Sequence, residues 1–287
     1  MPELAYLNEM IVPVDEAKVP VRDRGFIFGD GVYDVARVYD VRPHRLGAHI
    51  ERLRRCARQI ELCDIPSEAD LERIVDELLD ASGLSDAMLY MQLTRGAAPR
   101  KSAYPAETPA TLFVSVERVR RGADKFRDTG VEAILVEDIR WDRNDIKSIN
   151  LLPKVLMGQR AHKAGVYEAL YHDADGHVWE GTSTNLFAII DGALQTAPEG
   201  PRILSGTTRR DVLELAERLG YDCELRPLTE EQLRSADELF VTGTLTEVQG
   251  LVAVDGTAVG SGEVGSITRE FQEAYDELVE DRLRQMS

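Results

Sequence analysis

In Asp145-Ile146-Lys147-Ser148-Ile149-Asn150-Leu151-Leu152 a lysine stands between two isoleucines. The segment reads as extended and follows closely on Val136-Glu137-Asp138-Ile139-Arg140-Trp141. If Ile146 and Ile149 pack against their surroundings, Lys147 is half buried. Burial disfavours an ammonium, and a neutral amine can form a Schiff base with a carbonyl. The commoner alternative is a structural lysine that lays its stem on apolar surface and sends its charge to water.

Further segments could carry chemistry. Glu180-Gly181-Thr182-Ser183-Thr184-Asn185 leads an acidic residue into a glycine-hydroxyl turn and on to an apolar strand; alone it also reads as a turn rich in hydroxyls. Ile203-Leu204-Ser205-Gly206-Thr207-Thr208 precedes a helix, where free backbone N–H groups and hydroxyls suit a phosphate; an ordinary threonine cap reads the same way. Val241-Thr242-Gly243-Thr244 is a strand end of small residues that would let backbone approach an anion. Arg52 is a cation on a helix otherwise patterned for burial, or a plain surface arginine.

Around these segments the pattern mixes strands and helices. Apolar residues recur every three or four positions at Leu46, Ile50, Leu53, Ala57 and Ile60, which predicts an amphipathic helix over 44–62. Ser67 is placed to cap a second helix reaching about Leu79. Residues 5–7 and 10–12 read as strand material, 32–38 is a short apolar run, strands are predicted over 88–94, 111–116 and 131–136, and a helix over 152–164 ends at Gly165. Residues 167–171 and 178–180 flank an Asp-Ala-Asp-Gly turn and read as a hairpin. Strands at 185–190, 193–196, 238–241 and 248–254, and helices at 208–219 and 267–286, complete the pattern. There is no regular βαβ alternation, so the expected class is α/β with mixed sheets and not a doubly wound parallel sheet.

Length and composition narrow the rest. A chain of 287 residues favours two domains. We expect an N-terminal α/β domain over 1–117, a linker at 118–124 containing Arg118-Val119-Arg120-Arg121-Gly122, and a larger, barrel-like C-terminal domain over 125–287. With 43% hydrophobic and 30% charged residues the chain is that of an ordinary globular protein. No run approaches the roughly 20 apolar residues that span a bilayer, and the first residues do not read as a signal peptide. The net charge of −17 argues against nucleic acid and anionic membranes as partners. Cys56, Cys63 and Cys223 form no CxxC pair, and Cys56 and Cys63 are expected as buried free thiols. The five histidines lack metal-ligand spacing, so a metal-free cytoplasmic protein is expected. No GxGxxG, Walker-type loop or nucleophile elbow occurs.

Taken together, these segments resemble the fold-type-IV pyridoxal-phosphate enzymes, and among them the bacterial D-amino-acid transaminases. The likeness is strongest at Asp23-Arg24-Gly25-Phe26-Ile27-Phe28-Gly29-Asp30-Gly31-Val32-Tyr33-Asp34, at Thr94-Arg95-Gly96 and through the lysine segment, and continues at 180–185 and 240–247. It implies a cofactor, pyridoxal 5′-phosphate, held by Lys147, which also moves the substrate proton. It implies Glu180 on the pyridine nitrogen and Arg52 on the phosphate, with Thr207, Thr208 and Thr244 adding hydrogen bonds. Leu204 would pack under the ring, and Ser183 and Thr184 would line it. The cofactor is expected in a cleft between the domains, in a homodimer whose partner supplies Arg100. Tyr33 and Arg100 match positions that grip a substrate carboxylate, and Ser102 stands where these enzymes place a histidine. Exchange of an amino group between a D-amino acid such as D-alanine and a 2-oxo acid such as 2-oxoglutarate is the expected reaction. Transamination of branched-chain L-amino acids or (R)-amines, and an aminodeoxychorismate-type lyase, are the alternatives on the same fold.

Overall fold

The computed structural model describes residues 3–119 and 126–285. Of the expected linker only Arg118 and Val119 are described; the rest lies outside these residues. Two compact units emerge. One holds residues 3–119 together with Ile146–Asn150; the other holds 126–145 and 151–285. The lysine segment, expected with the second half of the chain, is therefore packed into the first unit.

The first unit is built from β1 (Leu4–Leu7), β2 (Met10–Pro13), α1 (Arg24–Phe28), β3 (Gly31–Tyr39), β4 (Arg42–Pro43), α2 (Leu46–Gln59), α3 (Glu68–Ser82), β5 (Ala87–Thr94) and β6 (Thr111–Arg118). Its sheet runs β2-β1-β6-β5-β3-β4 and every pairing is antiparallel. Alternation sends Val32, Ala36 and Val38 of β3 and Leu89, Met91 and Leu93 of β5 to one face. Ile50, Leu53 and Ala57 of α2 and Leu71, Ile74, Val75 and Leu78 of α3 pack on that face. Ser67 accepts a hydrogen bond from the Asp70 amide at 3.1 Å, the cap that the sequence predicts for α3. Ile146 is buried in the same core. An isoleucine buried there is worth about 2 kcal/mol, enough to anchor the lysine segment to this unit. Cys56 is buried as expected, but Cys63 is exposed, because α2 ends at Gln59 and leaves it on the connection to α3.

The second unit contains β7 (Val131–Glu137), α4 (Leu152–Ala164), β8 (Glu168–His172), β9 (His177–Gly181), β10 (Asn185–Ile190), β11 (Ala193–Thr196), α5 (Thr207–Leu219), β12 (Cys223–Leu225), β13 (Leu228–Thr229), α6 (Glu230–Ser235), β14 (Glu238–Gly243), β15 (Glu247–Val254), β16 (Thr257–Ala258) and α7 (Ser266–Gln285). Its sheet is mixed: β7 runs parallel to β8 and to β15, while β8–β9, β10–β14 and β14–β15 are antiparallel. Because β9 also pairs with β10, through Glu180 and Asn185, the strands β10-β14-β15-β7-β8-β9 close on themselves. That closed sheet is the barrel expected for this part of the chain. Leu170, Leu186, Ala188, Leu239, Val241 and Leu251 fill one face of it. On the other face Phe187 and Phe240 stack at 4.9 Å, with Phe271 of α7 against Phe240. No helix among the described residues is long and apolar enough to cross a membrane.

Candidate active site

Lys147 lies in neither a helix nor a strand; the expected extended stretch reduces to one bridge between Ser148 and Val32. What fixes it is hydrogen bonding of its own backbone. The Lys147 amide donates to the Cys56 thiol at 3.3 Å, and its carbonyl accepts from the Tyr33 amide at 3.0 Å. The Ile149 amide donates to the Gly31 carbonyl at 3.1 Å, and the Asn150 side chain donates to the Gly29 carbonyl at 2.9 Å. A four-residue run is thus stitched to the start of β3 and to α2. The Lys147 amine lies 4.4 Å from the centroid of the Tyr33 ring, which itself stacks on Tyr90 at 5.6 Å. Burial pushes the Tyr90 phenol up to about 12.

Arg52 proves to be a buried arginine, not a surface one. Its Nε and Nη2 donate to the two oxygens of Asp34 at 2.7 and 2.8 Å, and Asp34 also pairs with His49 at 2.7 Å. Asp34 is completely buried, which by itself would raise its pKa; the charge of Arg52 and hydrogen bonds from Arg52 and His49 outweigh burial and hold it below the usual carboxylate range. Burial, the largest influence on His49, lowers its pKa against the pull of Asp34, so the ring is neutral at pH 7. Sequence reasoning missed Asp34 and His49. The available signal was parity: Asp34 occupies the same strand face as Val32, Ala36 and Val38, where only a partnered charge can stay.

In the second unit Glu180 is buried at the end of β9. One oxygen accepts from Arg140 Nη1 at 2.5 Å; the other accepts from the Leu204 amide at 3.0 Å and from Asn185 Nδ2 at 3.2 Å. Arg140 is bidentate with Asp138, both contacts 2.9 Å, and its guanidinium lies 4.0 Å from the centroid of Tyr171. Burial pulls the Arg140 pKa down, but Asp138 and Glu180 more than compensate and push it up. Glu180 and Leu204, both named from the sequence, are thereby brought together, with Asn185 completing the carboxylate's donors.

The hydroxyl turn is organised by a residue that the sequence did not single out. Buried Glu168 accepts from the Thr182 amide at 3.1 Å, from the Ser183 amide at 3.3 Å and from the Thr184 hydroxyl at 2.8 Å. Gly181 has to be glycine here, because a Cβ would run into Thr184 and the Glu168 carboxylate. Ser183 stays exposed. Its carbonyl and Thr184 lie against Gly243, one residue before Thr244 in the turn that joins β14 to β15. Helix α5 starts at Gly206, where a Cβ would collide with Asn185. It has no side-chain cap, and buried Thr207 and Thr208 form its first turn. Its N–H groups therefore face outward with the positive end of the helix dipole behind them.

Arg100 and Ser102 lie on an exposed segment of the first unit outside any helix or strand. Arg100 Cζ is 5.5 Å from the Phe28 ring centroid, and the backbone at Lys101 and Ser102 is held by Arg24.

The chain is similar to known proteins over most of its length. A family model described as amino-transferase class IV matches residues 31–254. The D-alanine aminotransferase of Staphylococcus haemolyticus is 38% identical over 278 residues, spanning 96% of this chain and 98% of that protein. The D-alanine aminotransferase of Bacillus licheniformis is 39% identical over 272 residues, 95% of each chain. Among solved structures, the branched-chain amino acid aminotransferase of Escherichia coli superposes with a TM-score of 0.90 at 26% identity, covering 97% of this chain and 95% of that one. The branched-chain aminotransferase of the thermophilic archaeon Thermoproteus uzoniensis, solved with norvaline, gives 0.86 at 28% identity, covering 96% and 94%. With the family model matching most of its length, the chain belongs to the class IV aminotransferases, a family of pyridoxal-phosphate enzymes.

Proposed function

We propose that this protein moves the amino group of a D-amino acid such as D-alanine to a 2-oxo acid such as 2-oxoglutarate, with pyridoxal 5′-phosphate bound to Lys147. The observation that carries the reading is the likeness to D-alanine aminotransferases over nearly the whole chain. The residues fit the cofactor: a lysine fixed at its own peptide, a carboxylate oriented by three donors, and an uncapped helix start bearing two threonines. When bound, pyridoxal phosphate supplies a sink for the electrons left as the substrate α-carbon loses its proton.

Each residue then has a task. Lys147 Nζ takes the proton from the α-carbon of the D-amino acid and, in the second half of the exchange, gives one to the α-carbon of the 2-oxo acid. Glu180, with its carboxylate held by Arg140, Asn185 and the Leu204 amide, accepts a hydrogen bond from the ring nitrogen and keeps that proton in place. Arg52, its plane fixed by Asp34, supplies positive charge for the phosphate, and Thr207, Thr208 and Thr244 supply hydrogen bonds. Leu204 supports the ring, while Ser183 and Thr184 border it. Tyr33, Arg100 and Ser102 receive the substrate carboxylate, the last two serving the partner subunit of a homodimer in the cytoplasm.

Ser102 favours a second reading, because a serine brings no charge to the carboxylate. Branched-chain L-amino acids or (R)-amines would then be the donors. One experiment separates the two: the visible spectrum of the purified holoenzyme after single additions of D-alanine, L-leucine and (R)-1-phenylethylamine. Bleaching by D-alanine supports the first reading; a response confined to L-leucine or the amine replaces it with the second.

A further inference from the structure

Asp23-Arg24-Gly25 and Thr94-Arg95-Gly96 stand out in the sequence, yet they have no part in the chemistry above. In the fold the two arginines meet on one carboxylate. Arg24 Nε and Arg95 Nε donate to the same oxygen of Asp30, at 2.7 and 2.8 Å. Burial pushes the Asp30 carboxyl up, but hydrogen bonds and charge from Arg95 and Arg24 hold it below the usual range. Asp30 is thus ionised at neutral pH and anchors both guanidinium groups.

The far side of Arg24 points elsewhere. Its Nη1 donates to the carbonyl of Lys101 at 2.7 Å and its Nη2 to the carbonyl of Ser102 at 3.3 Å. Its Cζ lies 4.7 Å from the Phe28 ring centroid, and Arg100 lies 5.5 Å from the same ring. Beside it, Arg95 lies 3.9 Å from the ring centroid of Tyr104. Arg24 and Arg95 are 3% and 5% exposed, whereas the side chains at 100, 101 and 102 are exposed. The Nε of Arg24 serves Asp30, but its two Nη groups go to successive carbonyls of an exposed, irregular segment and not to the core. They fix a backbone from which exposed side chains project. An open cavity of about 500 Å³ is lined in part by Arg24, Phe28, Ser102 and Tyr104.

We infer that Arg24 is a positioning residue for carboxylate recognition: it clamps the backbone at Lys101 and Ser102 so that Arg100 and Ser102 present their side chains in one arrangement. This rests on the reading that Arg100 receives the substrate carboxylate. Holding the segment beforehand removes an ordering cost that each binding event would otherwise carry. Phe28 extends the clamp, because Arg24 and Arg100 share its ring.

The test is a double-mutant cycle on the holoenzyme with D-alanine. Arg24→Lys keeps a charge beside Asp30 and loses the two-pronged grip on the carbonyls. We expect it to raise KM about tenfold with little change in kcat, the scale of two modest hydrogen bonds. In an Arg100→Ala background the same substitution should leave KM unchanged, since Arg24 acts through Arg100. Tryptic cleavage after Lys101, followed by mass spectrometry, should be several-fold faster in Arg24→Lys than in the parent, whatever the substrate. Equal losses in both backgrounds, or unchanged cleavage, overturn the clamp. An Arg100→Ala variant with an unaltered KM overturns the carboxylate reading itself, and the clamp with it. If Arg24→Lys fails to fold, Phe28→Leu in the same cycle decides, with the same expected non-additivity.

Discussion

The amide of Lys147 donates its hydrogen to the thiol of Cys56, 3.3 Å away, so a buried sulfur on α2 holds one end of the Lys147 peptide. Burial pushes that thiol's pKa up, which keeps it protonated and inert, an acceptor and not a nucleophile. Replacing Cys56 with alanine leaves the Lys147 amide without this partner and opens a small void. The expected cost is about 1–2 kcal/mol of stability, with several-fold weaker cofactor retention. Dialysis followed by cofactor absorbance measures the second quantity. Retention equal to the parent would mean that the Tyr33 amide alone fixes the lysine.

Lys147→Ala is expected to abolish both steady-state transamination and the visible absorbance of the lysine-bound cofactor. Turnover that survives the substitution would remove Lys147 from its assigned role, whatever the variant's spectrum.

Acid should weaken the first unit in two stages. The folded pKa of His49 is lowered from 6.5, so the unfolded chain binds the proton first as pH falls. Stability is therefore complete above about 6.5 and declines below it, by up to about 1.4 kcal/mol per pH unit. Asp34 is also lowered, from 3.8, and its contribution is full above that value and is lost only in stronger acid. Melting temperature against pH should show the first decline in the parent and a flatter profile in His49→Asn as the pH falls below about 6.5. Identical profiles would show that His49 does not titrate on unfolding.

Tyr171 is completely buried, and its hydroxyl has no partner among the described residues. Burial accordingly pushes its pKa up. Phenylalanine at this position keeps the ring under Arg140 and removes the orphaned hydroxyl. Tyr171→Phe should be neutral or more stable, by up to about 1–3 kcal/mol, with activity unchanged. Tyr171→Leu should lose the ring's contact with the Arg140 cation, worth about 1 kcal/mol, and soften the support behind Glu180. A lower melting temperature for the phenylalanine variant would mean that the hydroxyl has a bound partner in solution.

Much of this was legible in the sequence where the signal is local. The Ser67 cap, the glycine after α4 and the Asp-Ala-Asp-Gly hairpin all appear where side-chain chemistry sets backbone geometry within a few residues. Helix α1 was not legible: five residues in a turn-rich stretch give no periodicity to read. Nor was the placement of Ile146–Asn150 in the first unit, which depends on Cys56 and β3, far away in the chain. The pattern alone left Arg52 open between a buried cation and a surface arginine, because its partner, Asp34, lies on another element. Glu168 gave no sign of its role, since its donors belong to a turn formed only when β8 and β9 pair.

The closure of the second unit's sheet also bears on how the protein folds. The seam between Glu180 and Asn185 joins residues that are near neighbours in the chain, so little loop entropy is lost in forming it. The pairing of Leu251 with Val131 brings together distant parts of the chain and carries a larger entropic penalty. The order of assembly follows from that difference. The carboxylate at Glu180 is set beside Asn185 by one of the ring's local joints, and the long-range seam between β15 and β7 is expected to close later.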